Sequence, residues 1–382
     1  MSTDFIRYRR TLQPGSADSA DLSMVYYIIW YAPALVDSVH DLSFFLNTAG
    51  WRRETRRHLF QRAKIPFLFI YLAFYRLYLI FILCVLTVKG ESQLLRYIRM
   101  CFEKHIPPDE HMHNKAGLLF REYMLVGGMP KAVSKYLESG KSFHAADVEK
   151  RDIHVTYRND IGKIASSYRT KVLSVFDQIP AFLSQHEKRV RLKSIEGGEG
   201  NDYEETFFWL SDSMIVNECF NSTDPNVGLS LNEDRTYIKC YLCDTGLLIS
   251  HTFDESQLAE ENLYLKILKN RLSVNKGMFF ENAVAQCLTA GGHKLYYYNH
   301  YNETLHRNDM EIVFLISEGS KISGKLNAIE VKSSKNYTTT SLSAFLNRYG
   351  RKRIKNAYVI HPKSYQEANG IIYLPAYMSF CL

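Results

Sequence analysis

The sequence predicts a mixed α/β protein, α+β overall, in which a helical segment and a winged helix precede a C-terminal α/β domain. Three observations carry this. Apolar Phe279, Phe280, Ala283, Val284, Cys287 and Leu288 form an i, i+4 stripe over residues 277–290, which Gly291 and Gly292 close as a helix stop. Short β-branched or aromatic runs at 293–299, 309–316 and 326–333, parted by Asn-, Gly- or Ser-rich punctuation, read as three strands. Upstream, helices over 171–186 and 202–210, then strands at 215–220 and 236–242, follow the order of a winged helix.

In chain order, residues 1–90 form an unassigned N-terminal segment, and residues 1–64 carry no repeat or recognisable motif. Residues 65–88 are apolar or aromatic apart from Pro66, Arg76 and Thr87, long enough to cross a bilayer of about 30 Å. Arg52, Arg53, Arg56, Arg57, Arg62 and Lys64 precede this run and would hold the N-terminus in the cytoplasm. Arg76 near its centre opposes insertion by about 2.5 to 3.5 kcal/mol. Three readings stay open: a membrane anchor, a buried helix or strand pair, and a stretch that is not native coding sequence.

Residues 91–150 read as a helical linker that includes a helix over 129–138. Gly140, Lys141 and Ser142 follow it as a polar loop. They lack the earlier glycine that lets backbone N–H groups curl around phosphate, and no Gly-x-x-x-x-Gly-Lys-(Ser/Thr) occurs in the chain, so ATP is not expected as a cofactor.

Residues 151–255 hold the winged helix. Val172, Val175, Phe176, Ile179 and Leu183 share one helical face, and Pro180 is expected to kink or divide that helix. The basic strand after it offers Lys188, Arg189, Arg191 and Lys193 to phosphate, and Arg351, Lys352 and Arg353 offer a second cluster, so DNA is one expected partner. Helix 202–210 would enter the major groove, yet Asp202, Glu204 and Glu205 repel phosphate, which favours docking to a protein partner.

Residues 256–382 carry the chemistry. Glu281 lies at the edge of the buried stripe of its helix, while Glu330 and Lys332, two apart on a strand, share one face. A helix carboxylate, a mid-strand acid and a following Glu-x-Lys suit phosphodiester hydrolysis. The acids hold Mg²⁺ that activates water, and the lysine positions the nucleophile. This ordered set resembles the PD-(D/E)XK nuclease fold, a restriction-endonuclease-like domain. It is also similar to the C-terminal part of a prokaryotic AAA-type ATPase family, as are the runs 120–133, 157–161, 176–180, 243–248 and 371–378.

That resemblance implies an ATPase motor, a winged helix and a nuclease-like module. It also implies that the second strand should read Glu-Ile-Asp-Phe-Leu, which sets Val313 where a metal-binding Asp falls. Valine cannot ligate Mg²⁺. Asp309 and Glu311 are the substitutes at hand, and Glu311 stands roughly 6 to 7 Å along the strand. The expected metal set is therefore Glu281, Glu311 and Glu330, with Glu330 and Lys332 as the catalytic pair.

Composition bounds the rest. The 382 residues are 46% hydrophobic, enough to fill two or three domain cores, and a net charge of +7 is too modest to identify a partner. Seven cysteines, an odd number, suit reduced thiols and a cytoplasmic location, with membrane anchoring through 65–88 as the alternative. Cys240 and Cys243 have zinc-like spacing without a second half, and His105, His111 and His113 read as surface polarity. The expected protein is a truncated or degenerate relative of the ATPase family that binds DNA or a protein partner through an impaired nuclease-like domain. The alternative is a Mg²⁺-dependent DNA nuclease with a migrated carboxylate.

Overall fold

A computed structural model describes residues 92–164, 166–185, 187–191, 200–226, 228–253, 261–268, 276–304, 306–318 and 325–382. The apolar run 65–88, the segment before it and Lys193 lie outside these residues. Among the described residues no helix is long and apolar enough to cross a membrane.

Five helices come first: α1 (Ser92–Glu103), α2 (Glu110–Val126), α3 (Pro130–Glu138), α4 (Phe143–Ile161) and α5 (Ser166–Ser184). Asp109 starts α2 by accepting the Met112 backbone N–H at 3.0 Å, and Ser142 starts α4 by accepting that of Ala145. Gly140 and Lys141 both have positive φ and turn the chain between α3 and α4, so the Gly140–Ser142 run is a helix connection. Helix α5 buries Val172, Val175, Phe176, Ile179 and Leu183 completely, as their spacing predicts.

Pro180 does not divide α5, which continues through it. A proline has no N–H for the carbonyl four residues earlier. That carbonyl belongs to Phe176, and the ring of His251 reaches it instead, with Nε2 at 3.0 Å.

After β1 (Arg189–Arg191) come α6 (Gly200–Asp212) and the hairpin β2 (Val216–Ser222) and β3 (Glu233–Leu242). Strand β1 pairs antiparallel with β3, Arg189 opposite Lys239. Helices α7 (Thr245–Thr252), α8 (Glu261–Leu268) and α9 (Lys276–Ala290) lead to β4 (Leu295–Asn302), β5 (Arg307–Glu318) and β6 (Lys325–Val331). Then follow α10 (Thr340–Arg353), β7 (Ile354–His361), β8 (Gln366–Ala368), β9 (Ile371–Pro375) and a closing 3₁₀ turn, Ala376–Cys381.

The strands form one mixed nine-stranded sheet in the order β1-β3-β2-β4-β5-β6-β7-β9-β8. Strands β2 and β4 pair in parallel, so the hairpin of the middle segment and the C-terminal strands share a single sheet across residue 255. On the far side β6, β7 and β9 are mutually parallel, with α10 as the crossover from β6 to β7. Helix α9 is apolar on nearly all sides, burying Met278, Phe279, Phe280, Ala283, Val284, Ala285, Cys287 and Leu288. Such burial places any charged residue it carries out of water.

Candidate functional site

Glu281 is that charged residue, only 6% exposed. Its two oxygens have separate partners. The Tyr241 hydroxyl donates to Oε1 at 2.6 Å, and the Lys188 ammonium pairs with Oε2. Tyr241 sits on β3 two residues from Lys239, so strand alternation turns both side chains to the same face. Lys188 immediately precedes β1, and the β1–β3 pairing brings it alongside.

Lys239 is 2% exposed and donates to Glu311 Oε1 on β5 at 2.6 Å. Its ammonium also lies 4.8 Å from the centroid of the Tyr297 ring. The third acid, Glu330 on β6, pairs at 2.6 Å with Lys332, the residue that follows the end of that strand. The sequence-expected Glu281, Glu311, Glu330 and Lys332 thus sit in one charged neighbourhood. Two lysines enter it, Lys188 and Lys239, and neither belongs to the expected catalytic set.

Electrostatics divides the three acids. Burial pushes the Glu281 carboxyl up, but the charges of Lys188 and Lys239 with the Lys188 and Tyr241 hydrogen bonds outweigh it and hold the group below its ordinary value. Lys239 lowers Glu311 first, against burial, with help from Arg189 and Lys188. Glu330 goes the other way. Burial raises it, Glu311 adds repulsion, and Lys332 offsets only part. Lys239 keeps its proton firmly, because Glu311 and Glu281 overcome the burial that would otherwise lower it.

Three carboxylates and three lysines alternate here, so their formal charges cancel. A divalent ion would have to displace ammonium groups already in contact with the acids. Among the described residues, no group of three His, Cys, Asp or Glu side chains is arranged to hold a metal ion. Val313, at the position of the expected Asp, is packed against the hydrophobic core. Asp309 is engaged elsewhere, accepting from Asn302 and paired with His300, both at 2.7 Å.

Three of the seven expected phosphate contacts have protein partners. Lys188 holds Glu281, Arg189 pairs with Glu187 at 2.9 Å and lies over the Tyr237 ring, and Arg353 donates to the Pro225 carbonyl at 2.7 Å. Arg191 and Lys352 are exposed, and Arg351 lies beside Lys352 on α10. Cys240 and Cys243 are separate buried thiols, and the three histidines have no common focus: His105 meets Glu367 and Tyr365, while His113 meets Tyr377.

Sequence reasoning missed Lys239. The signal was present in the alternation Tyr237, Lys239, Tyr241, a lysine between two aromatic side chains on one strand face. A lysine in that position is either at an exposed edge or paired in the interior, and here it is paired.

Comparison with known protein families gives two matches. Residues 117–257 match a domain of unknown function (DUF8612), and residues 276–377 match another (DUF4143). The second match covers Glu281, Glu311, Glu330 and Lys332. It is similar to a domain that sits in C-terminal regions associated with AAA-type ATPases. No curated protein and no solved structure matches the chain.

Proposed function

We propose that this protein is a non-catalytic, partner-binding relative of AAA-type ATPases, in which a nuclease-like site has become a lysine–carboxylate network. The observation that carries the reading is that Glu281, Glu311 and Glu330 each contact a lysine, while a partly buried valine packed against the core stands at the expected metal-binding position. A protein partner is favoured over DNA by α6. Its outward positions Glu205, Phe208 and Asp212 are all exposed, Phe208 by 65%. An acidic face with an open aromatic repels phosphate and suits an apolar, basic protein surface.

A second reading, a Mg²⁺-dependent DNA nuclease with Glu311 as the migrated ligand, draws on one observation. The Glu311 side chain is 40% exposed, against 8% for Glu281 and 3% for Glu330, so it alone is open to a hydrated ion.

One experiment separates the readings. The full chain is incubated with linear and supercoiled DNA in Mg²⁺ or Mn²⁺, beside Glu311→Gln and Val313→Asp. The non-catalytic reading expects no cleavage by the native chain. Cleavage that Glu311→Gln abolishes would establish the second reading and overturn the first, and gain of cleavage in Val313→Asp alone would support the first.

A further inference from the structure

A cavity of about 100 Å³ lies outside the charged network, at the carboxyl ends of the three parallel strands. Strand β6 leads to Ser333 in its wall, β7 to Pro362, and β9 ends there with Pro375. Open α/β sheets take ligands at this end, because the strand-to-helix connections diverge there and leave a crevice. Helix α2 closes another side with Phe120 and Arg121, and α9 contributes Phe280.

Arg121 does not fit an ordinary apolar wall. Its Nε is buried without a hydrogen-bond partner, and the residue makes no ion pair among the described residues. Burial lowers its pKa, and no carboxylate opposes that effect. Arg121 as a whole is half-buried, so it is this edge of the guanidinium that is withdrawn from water, and a buried charge of that kind is normally matched by an acid. His113, held at 2.9 Å from the Tyr377 hydroxyl in the cavity wall, lies within electrostatic reach of Arg121, Lys335 and Glu110, and burial with the two cations lowers its pKa, so it adds no counter-charge to Arg121.

We propose that this cavity binds a compact branched-chain monocarboxylate, its carboxylate on Arg121 and its aliphatic body among Phe120, Phe280 and the two prolines. Planar N–H groups of a guanidinium match a carboxylate with paired hydrogen bonds, supplying the absent counter-charge. Size sets the body. A cavity of roughly 150 Å³ admits benzene, with six heavy atoms, so about 100 Å³ holds about four, the carbons of isobutyrate, with its two oxygens outside that volume on the half-buried Arg121. Inorganic phosphate has the charge without the apolar body, and the walls offer it little. This site is independent of the reading of the lysine–carboxylate network.

The test is titration of the full chain with isobutyrate, followed by calorimetry and by the shift in thermal midpoint, with isobutyramide and inorganic phosphate as matched probes. Saturable isobutyrate binding at least tenfold tighter than either probe is expected. Arg121→Gln should abolish the difference between isobutyrate and isobutyramide, and Ala376→Leu, which fills the cavity from the 3₁₀ turn, should abolish binding of both. Equal affinity for acid and amide in the native chain would overturn the proposal, even if the variants failed to fold. So would unchanged isobutyrate binding in Arg121→Gln, tighter binding of phosphate, or no saturable binding at all.

Discussion

The Nε2 of His251 donates to the backbone carbonyl of Phe176, the carbonyl that Pro180 leaves without its helical partner. A carbonyl can only accept, so the contact fixes the hydrogen on Nε2. The ring also stacks on Phe176, with centroids 4.8 Å apart, and on His154 at 5.0 Å. A residue 75 positions away thus completes α5 at the site where its sequence interrupts it.

His251→Leu should therefore leave a buried carbonyl unpaired and cost about 1–3 kcal/mol. Pro180→Ala should restore a local N–H donor, so the double variant should recover a large part of that loss. Urea unfolding of the four proteins in the cycle measures the coupling. Strictly additive effects would show that the histidine contributes only by packing.

The same region predicts acid sensitivity. Burial, with the His251 charge and against the Leu247 carbonyl bond, lowers His154 from 6.5 to about 3. Burial also lowers His361 from 6.5 to about 4. In both, the folded state resists a proton that the unfolded chain accepts. Stability should fall as pH drops from about 6.5 towards 4, by up to about 1.4 kcal/mol per pH unit for each group. Denaturation at pH 7, 6, 5 and 4 checks the slope, which His154→Gln should flatten. A slope unchanged in that variant would assign the acid sensitivity elsewhere.

The carboxylates of the network should respond in opposite directions. Glu281 lies below its ordinary 4.5, so it contributes stability above that pH and loses it as pH falls through the folded value. Glu281→Ala leaves Lys188 and Lys239 short of a counter-charge and should cost about 3–5 kcal/mol at pH 7. Glu330 lies above its ordinary value because burial disfavours its charge. Glu330→Gln should consequently be near neutral or stabilising at pH 7, and the difference between the two variants should shrink at pH 4. Comparable losses for both at pH 7 would contradict the assignment.

These relationships mark what the sequence could and could not express. The α9 stripe, the three strands after it and the buried face of α5 follow from local periodicity, which is why their residues fall where spacing puts them. The parallel pairing of β2 with β4 joins residues about 75 positions apart, as Cys219 opposite Leu295 shows, and no local pattern encodes it. The same limit applies to the site. Glu281, Glu330 and Lys332 were legible as an ordered motif, but the lysines that meet Glu281 and Glu311 stand just before β1 and on β3, which only long-range pairing brings near. Lys188 illustrates the cost: read alone it is a phosphate contact, and in the fold it is the counter-ion of Glu281.

Helices α2 and α7 are joined through Asp244. Asp244 is fully buried, accepts the Gly128 N–H at 2.5 Å and the Leu247 N–H at 2.8 Å, and receives the Gln286 amide at 3.1 Å. It therefore caps α7 while gripping the chain just after α2. The grip requires two glycines. A Cβ on Gly246 would lie 2.5 Å from the Gly127 nitrogen and 2.6 Å from the Val126 carbonyl oxygen, and a Cβ on Gly127 would lie 2.2 Å from Asp244 Oδ1. The Gly246 obstacles are backbone atoms, which no side-chain rotation can move. Gly246→Ala should thus force the two segments apart, break the Asp244 bonds and cost about 4 kcal/mol or more. Gly140→Ala is the matched control, since Gly140 has φ +71° but open space around its Cβ. Only the backbone penalty of about 1–2 kcal/mol applies there. Equilibrium unfolding in urea compares them, and a Gly246→Ala loss no larger than that of Gly140→Ala would show that the two segments can separate without disturbing the core.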